Sequence, residues 1–130
     1  MVKNYDSKKT KPPIDYAFDI LESVAFDSHT QWRIVYDVKN LSVYFRTLEN
    51  QSIRHFSIKS FDFSCATPVK VLDVNTELSG DTTDKFIDYT YQINRNLIGE
   101  AFRKTLGLSN VPEHDLDMRA KYPKGTSCIE

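Results

Sequence analysis

A chain of 130 residues, 40% hydrophobic and 12% aromatic, has the length and composition of one globular core and not of a disordered segment. Its 17 basic and 18 acidic residues leave a net charge of -1, so no long-range field steers it to nucleic acid or an anionic membrane. No run approaches the roughly 20 apolar residues of a membrane span, and no apolar run follows the basic N-terminus at signal-peptide distance; the expectation is a soluble, cytoplasmic protein.

Residues 1–13 are polar and lysine-rich, with Lys3, Lys8, Lys9 and Lys11 ahead of Pro12-Pro13. The double proline breaks a helix, and Pro13 suits the first turn of a new one. In IDYAFDILESVA the residues Ile14, Ala17, Phe18, Leu21, Val24 and Ala25 form one apolar stripe at helical spacing. A helix covering a sheet follows from that. Next comes TQWRIVYDVKNLSVYFRT, Thr30–Thr47. Trp32, Ile34, Tyr36 and Val38 share one face of a strand, and Gln31, Arg33, Val35 and Asp37 the other. After Lys39-Asn40 the alternation resumes, with Val43 and Phe45 opposed to Tyr44 and Arg46. The pivot near Asp37–Leu41 predicts a short hairpin loop, where Asn tolerates a positive φ. Bulky residues on both faces predict a sheet covered on at least one side.

Ser52–Ile58 reads as a third strand, completing a meander, with Ile53 and His55 on one face and Arg54, Phe56 and Ile58 on the other. Pro68 argues against a central strand beyond it, leaving a short strand at Val69–Val74. Gly80-Asp81-Thr82-Thr83-Asp84 reads as a helix start, and the helix is expected to run to about Leu106 with Gly107 at its C-terminal cap. Leu108–Glu130 has weak periodicity and reads as a loosely ordered tail. The expected fold class is α+β, an antiparallel meander flanked by helices, in one domain over residues 1–106 with a tail over 107–130.

Chemistry is sparse. His29, His55 and His114 are dispersed, without metal-ligand spacing. Four glycines form no phosphate loop. Cys65 and Cys128 lie far apart, form no CxxC pair, and are expected to be reduced thiols. Cys65 with His55 as base is the nearest approach to a nucleophile pair, and no orienting group accompanies it. Asp15/Asp19 and Asp81/Asp84 read as a helix face and a helix cap. No catalytic, cofactor-binding or metal-binding residue is assigned, and no cofactor is expected.

TQWRIVYDVKNLSVYFRT resembles the late hairpin of the linear amide C–N hydrolases, the family of choloylglycine (bile salt) hydrolases and penicillin V acylases. AFDILESV before it looks like that family's preceding helix. LENQSIRHFSIKSFDFSCATPVKVLDVN looks like its meander continuation, and GDTTDKFIDYTYQINRNLIGEAF resembles the C-terminal helix of its longer members. Four segments in order, over about residues 1–106, carry the likeness. It implies the C-terminal portion of an N-terminal nucleophile (Ntn) hydrolase, part of an αββα sandwich. Such an enzyme needs a cysteine at the mature N-terminus, whose own α-amine is the base. This chain opens Met1-Val2, and neither Cys65 nor Cys128 carries a free amine. The resemblance therefore implies a scaffold piece, inactive alone, that meets an N-terminal complementing chain or another copy of itself through an exposed sheet. The alternative is a stand-alone binding or interaction domain.

Overall fold

The structure, a computed structural model, describes residues 11–126. Two compact units divide them. Unit 1 takes the chain to residue 62 and residues 72–86; unit 2 takes 63–71 and the chain from 87.

Unit 1 opens with α1, Pro13–Ser23, which buries Phe18 and packs against the first strand. Pro12 stands at its N-cap and Pro13 at its first position, where a missing N–H costs nothing. The sheet follows as β1 (Trp32–Asp37), β2 (Ser42–Thr47) and β3 (Arg54–Ser57). β1 and β2 pair antiparallel from Trp32 with Thr47 to Asp37 with Ser42, and β2 pairs β3 from Ser42 with Ser57 to Phe45 with Arg54. The predicted meander is present. Within the expected pivot, Leu41 takes the positive φ of 54°. Asn40 is engaged instead as a donor, through its backbone N–H at 3.0 Å and its side-chain amide at 2.6 Å, to the Asp37 carboxylate. Those bonds hold the Asp37 carboxyl below the usual carboxylate range.

The segment expected to start a long helix does something else. Gly80-Asp81 forms β5, parallel to β3, so the sheet is mixed, with order β1-β2-β3-β5. Gly80 has φ 69°, a left-handed conformation that favours glycine. Thr82, fully buried, donates to the His55 carbonyl from its N–H at 2.8 Å and its hydroxyl at 3.0 Å. Thr83 accepts from the Ser57 N–H at 3.1 Å. The same short hydroxyl side chains that suit a cap are here spent on the edge of β3. On the face carrying Phe45, rings of Phe56, Phe61 and Phe86 meet edge to face, with Phe61 and Phe86 centroids 4.8 Å apart. On the opposite face, Phe18 of α1 lies under the Arg46 guanidinium, 5.1 Å from ring centre to charge.

Unit 2 contains a two-stranded antiparallel pair, β4 (Lys70–Val71) and β6 (Ile87–Asp88), with an ion pair from Lys70 to Asp88. Helix α2 runs from Tyr91 to Lys104, starting ten residues beyond the expected point. Its N-cap is Thr90, whose hydroxyl accepts from the Ile93 N–H at 3.2 Å. Thr90→Ala is expected to cost about 1 kcal/mol of stability, and Thr90→Ser much less; helical circular dichroism during urea unfolding measures both. Gly107, with φ 84°, lies beyond the Thr105 C-cap and does not itself cap the helix.

The expected loose tail contains a third helix, α3, Glu113–Lys121. It buries Leu116 and Ala120, but polar contacts to α2 accompany them. Arg95 pairs with Asp117 at 2.5 Å and with Glu113, and the Tyr91 hydroxyl donates to Asp117 at 3.1 Å. Asn94 and Tyr89 both donate to the Ala120 carbonyl. A helix held this way lacks the apolar stripe that periodicity detects. Cys128 and the other residues of 127–130 lie outside the described residues.

Arg95 first, then Tyr91, hold the Asp117 carboxyl below the usual carboxylate range. A carboxyl depressed on folding stabilises above its unfolded pKa, and the benefit is lost as pH falls through the folded value. The α2–α3 pair is therefore expected to lose stability in acid, below about pH 4. Asp117→Asn is expected to flatten that limb, as read by helical signal against pH. Among the described residues no helix is long and apolar enough to cross a membrane.

Candidate functional site

Among the described residues, the candidate groups Cys65, His29, His55 and His114 stand in separate surroundings. Cys65 is disulfide-bonded, not a reduced thiol as expected. A sulfur in a disulfide is no thiolate, so the Cys65 and His55 pairing has no nucleophile. His55 lies in β3 with its ring tilted against Tyr44, centroids 5.2 Å apart. His29 packs on Phe26 at 5.0 Å, and His114 is exposed beside Asp115. Asp15 stands in the first turn of α1 and Asp19 pairs with Lys11 at 2.9 Å. Asp81 accepts from Thr83, a turn contact and not a helix cap. Among the described residues no group of three His, Cys, Asp or Glu side chains is placed to hold a metal ion. A cleft of about 220 Å³ in unit 2, lined by Arg95, Phe102, Val111 and Leu116 among others, has its Arg95 guanidinium already engaged by Asp117 and Glu113.

What unit 1 does offer is an edge. β1 ends the sheet order, so among the described strands only β2 pairs with it. The Leu48 N–H donates to the Gln31 carbonyl at 2.8 Å. In an antiparallel ladder the direction of these groups alternates along the strand. Arg33, Val35 and Asp37 thus turn their backbone groups toward β2, and Trp32, Ile34 and Tyr36 turn theirs outward. The side chains of those same outward residues share the face of Phe45, outside the phenylalanine cluster. Trp32 is 64% exposed, Tyr36 65% and Val38 79%.

The opposite face of β1 carries charge. Arg33 is only 7% exposed, and its Nη2 donates to Glu22 of α1 at 3.2 Å. Arg46, its cross-strand neighbour, donates from Nη2 to the same carboxylate at 2.7 Å. One carboxylate thus serves two guanidinium groups. Arg33 Nε and Nη1 and Arg46 Nε are buried without a hydrogen-bond partner. Asp37 follows four residues after Arg33 on the same face.

Arg33, Asp37 and the Trp32, Tyr36, Val38 group were visible in the sequence only as an alternating strand. Which face would stay open depended on Phe61 and Phe86, which cover the sheet over β2 and β3 but not over β1. The one local signal was opposite charge at positions four apart in a strand. Compared with family models, with curated proteins and with solved structures, the chain matches none.

Proposed function

We propose that this chain is a non-catalytic interaction domain that binds an extended polypeptide strand along β1. The observation that carries it is the outward row of backbone groups at Trp32, Ile34 and Tyr36, lined by exposed apolar side chains on an edge strand. An unpaired edge of this kind is the template for strand addition: main-chain hydrogen bonds give affinity, and alternate side chains give specificity. The disulfide at Cys65 supports the non-catalytic part, since it removes the one internal thiol considered as nucleophile.

Peptides selected from a random library on the purified chain test this. They are expected to read as alternating apolar and polar strands. Ile34→Pro is expected to weaken them about tenfold or more, the loss of one main-chain hydrogen bond and of close approach. The Ile34 N–H points outward, so proline there removes no bond to β2. Selected peptides that bind the proline variant as tightly as the wild type overturn the reading.

The amide-hydrolase scaffold is a second reading, favoured by the order of helix, hairpin and third strand. In it, the sheet of unit 1 is one layer of an αββα sandwich, and β1 is the edge left open for a complementing chain that supplies the N-terminal cysteine. Turnover of acyl amides by the purified chain, unchanged by Cys65→Ala, would reveal a nucleophile of its own and count against that reading.

A further inference from the structure

We infer that the strand received by β1 is the β1 of a second copy of this chain, antiparallel and centred on Val35. This rests on the reading of β1 as a docking edge and names its occupant. A two-fold axis normal to the sheet makes such a contact self-complementary and keeps each face on its own side. The register is chosen by charge. With Val35 opposite the partner's Val35, Arg33 stands opposite the partner's Asp37, and Asp37 opposite the partner's Arg33. Ile34 meets the partner's Tyr36 and Trp32 meets the partner's Val38, which places the exposed apolar side chains beside one another. A register one residue away, centred on Ile34, sets Arg33 opposite the partner's Val35 and loses both charge pairs.

Arg33 keeps Nη2 on Glu22 of its own chain, and its Nε and Nη1 are covered by that same chain; it faces the partner's Asp37 as a cross-strand charge and not through those atoms. The Asp37 carboxylate accepts two bonds from Asn40 and retains lone pairs for a guanidinium. Backbone geometry agrees. Trp32, Ile34 and Tyr36 turn N–H and C=O outward, so in this register Ile34 and the partner's Tyr36 form a hydrogen-bonded pair. Val35 and its copy then form a non-hydrogen-bonded pair, with Cα atoms about 4.5 Å apart.

That spacing gives a register-specific test on the full chain. A disulfide needs Cα atoms within about 4.4–6.8 Å. Val35→Cys is therefore expected to cross-link two chains on mild oxidation, seen as a reducible dimer on a denaturing gel. Ile34→Cys is not, because in this register two copies of residue 34 lie diagonally and beyond reach. Sedimentation of the wild type is expected to show a dimer that weakens with salt. Asp37→Asn is expected to weaken it about tenfold, which is the loss of a modest charge-assisted contact. Ile34→Pro, and Tyr36→Lys should the proline variant fail to fold, are expected to leave monomers. A wild type that stays monomeric at high concentration overturns the inference. So does a dimer that survives both Ile34→Pro and Tyr36→Lys, or cross-linking at Ile34→Cys in place of Val35→Cys. A monomer that still takes selected peptides and loses them on Ile34→Pro overturns the second copy alone. Peptides indifferent to Ile34→Pro overturn the edge reading itself.

Discussion

Arg54→Met is expected to destabilise unit 1 by about 3–5 kcal/mol, the cost typical of stripping one partner from a buried charged network. Arg54 is 1% exposed, among the most buried side chains described. Its guanidinium donates from Nε to the Ser52 carbonyl at 3.3 Å, from Nη2 to the Asn50 carbonyl at 3.0 Å, and from Nη1 to the Val74 carbonyl. It also lies 4.7 Å over the centre of the Phe45 ring. Among the described residues no carboxylate pairs with it; backbone dipoles and an aromatic face offset it, and desolvation pushes its pKa down. Removing it leaves carbonyls of two separate loops without their donor. Asn50 repeats the same connection, since its side-chain amide donates to the Thr76 and Leu78 carbonyls at 3.0 Å each. Arg54 and Asn50 thus tie the turn after β2 to the segment that delivers β5. Arg54→Lys is expected to recover only part of the loss, because one ammonium cannot reproduce the planar fork that addresses three carbonyls. The chain has a single tryptophan, Trp32 in β1, so tryptophan fluorescence during urea unfolding reads unit 1 alone. A loss under about 1 kcal/mol for the methionine variant would mean that water replaces the guanidinium, a structural role refuted.

How much of this was legible in the sequence follows from which forces leave a period behind. α1 and the β1–β2–β3 meander bury apolar residues on one stripe or one face, so spacing alone finds them. Arg54 breaks the rule: a charged residue on the Phe56 face of a strand reads as surface, and only loops distant in sequence show what it binds. Residues 80–90 were misread because cap residues and edge-bridging residues are the same types. Thr82 and Thr83 have the hydroxyls of a helix start, yet the nearest orphan groups belong to β3. α3 was missed because Arg95, Asp117, Glu113 and Tyr91 do the work that an apolar stripe would otherwise signal. The candidate edge was half legible. Trp32, Ile34 and Tyr36 were placed on one face, but their exposure is a consequence of where Phe61 and Phe86 stop.

Breaking the Cys65 disulfide is expected to cost about 2–4 kcal/mol, and the loss should fall on unit 2. Within the segment 63–71 of unit 2 the strand β4 has two residues; its pairing with β6 spans Lys70 with Asp88 and Val71 with Ile87, and the Tyr89 N–H donates to the Val69 carbonyl at 2.7 Å. A two-stranded pair of that length is not stable by itself in water. Cys65→Ser and reduction of the wild type are therefore expected to lower the unfolding midpoint of α2 and α3 alike, read by helical circular dichroism, while Trp32 fluorescence moves little. Equal shifts in both signals would place the bond's effect on the whole chain. No shift in either would leave the disulfide without energetic consequence. The result also bears on compartment. A bond worth several kcal/mol suits an oxidising environment; the cytoplasmic expectation requires that α2 and α3 hold together in reductant, through Arg95, Asp117 and the buried Leu116 and Ala120.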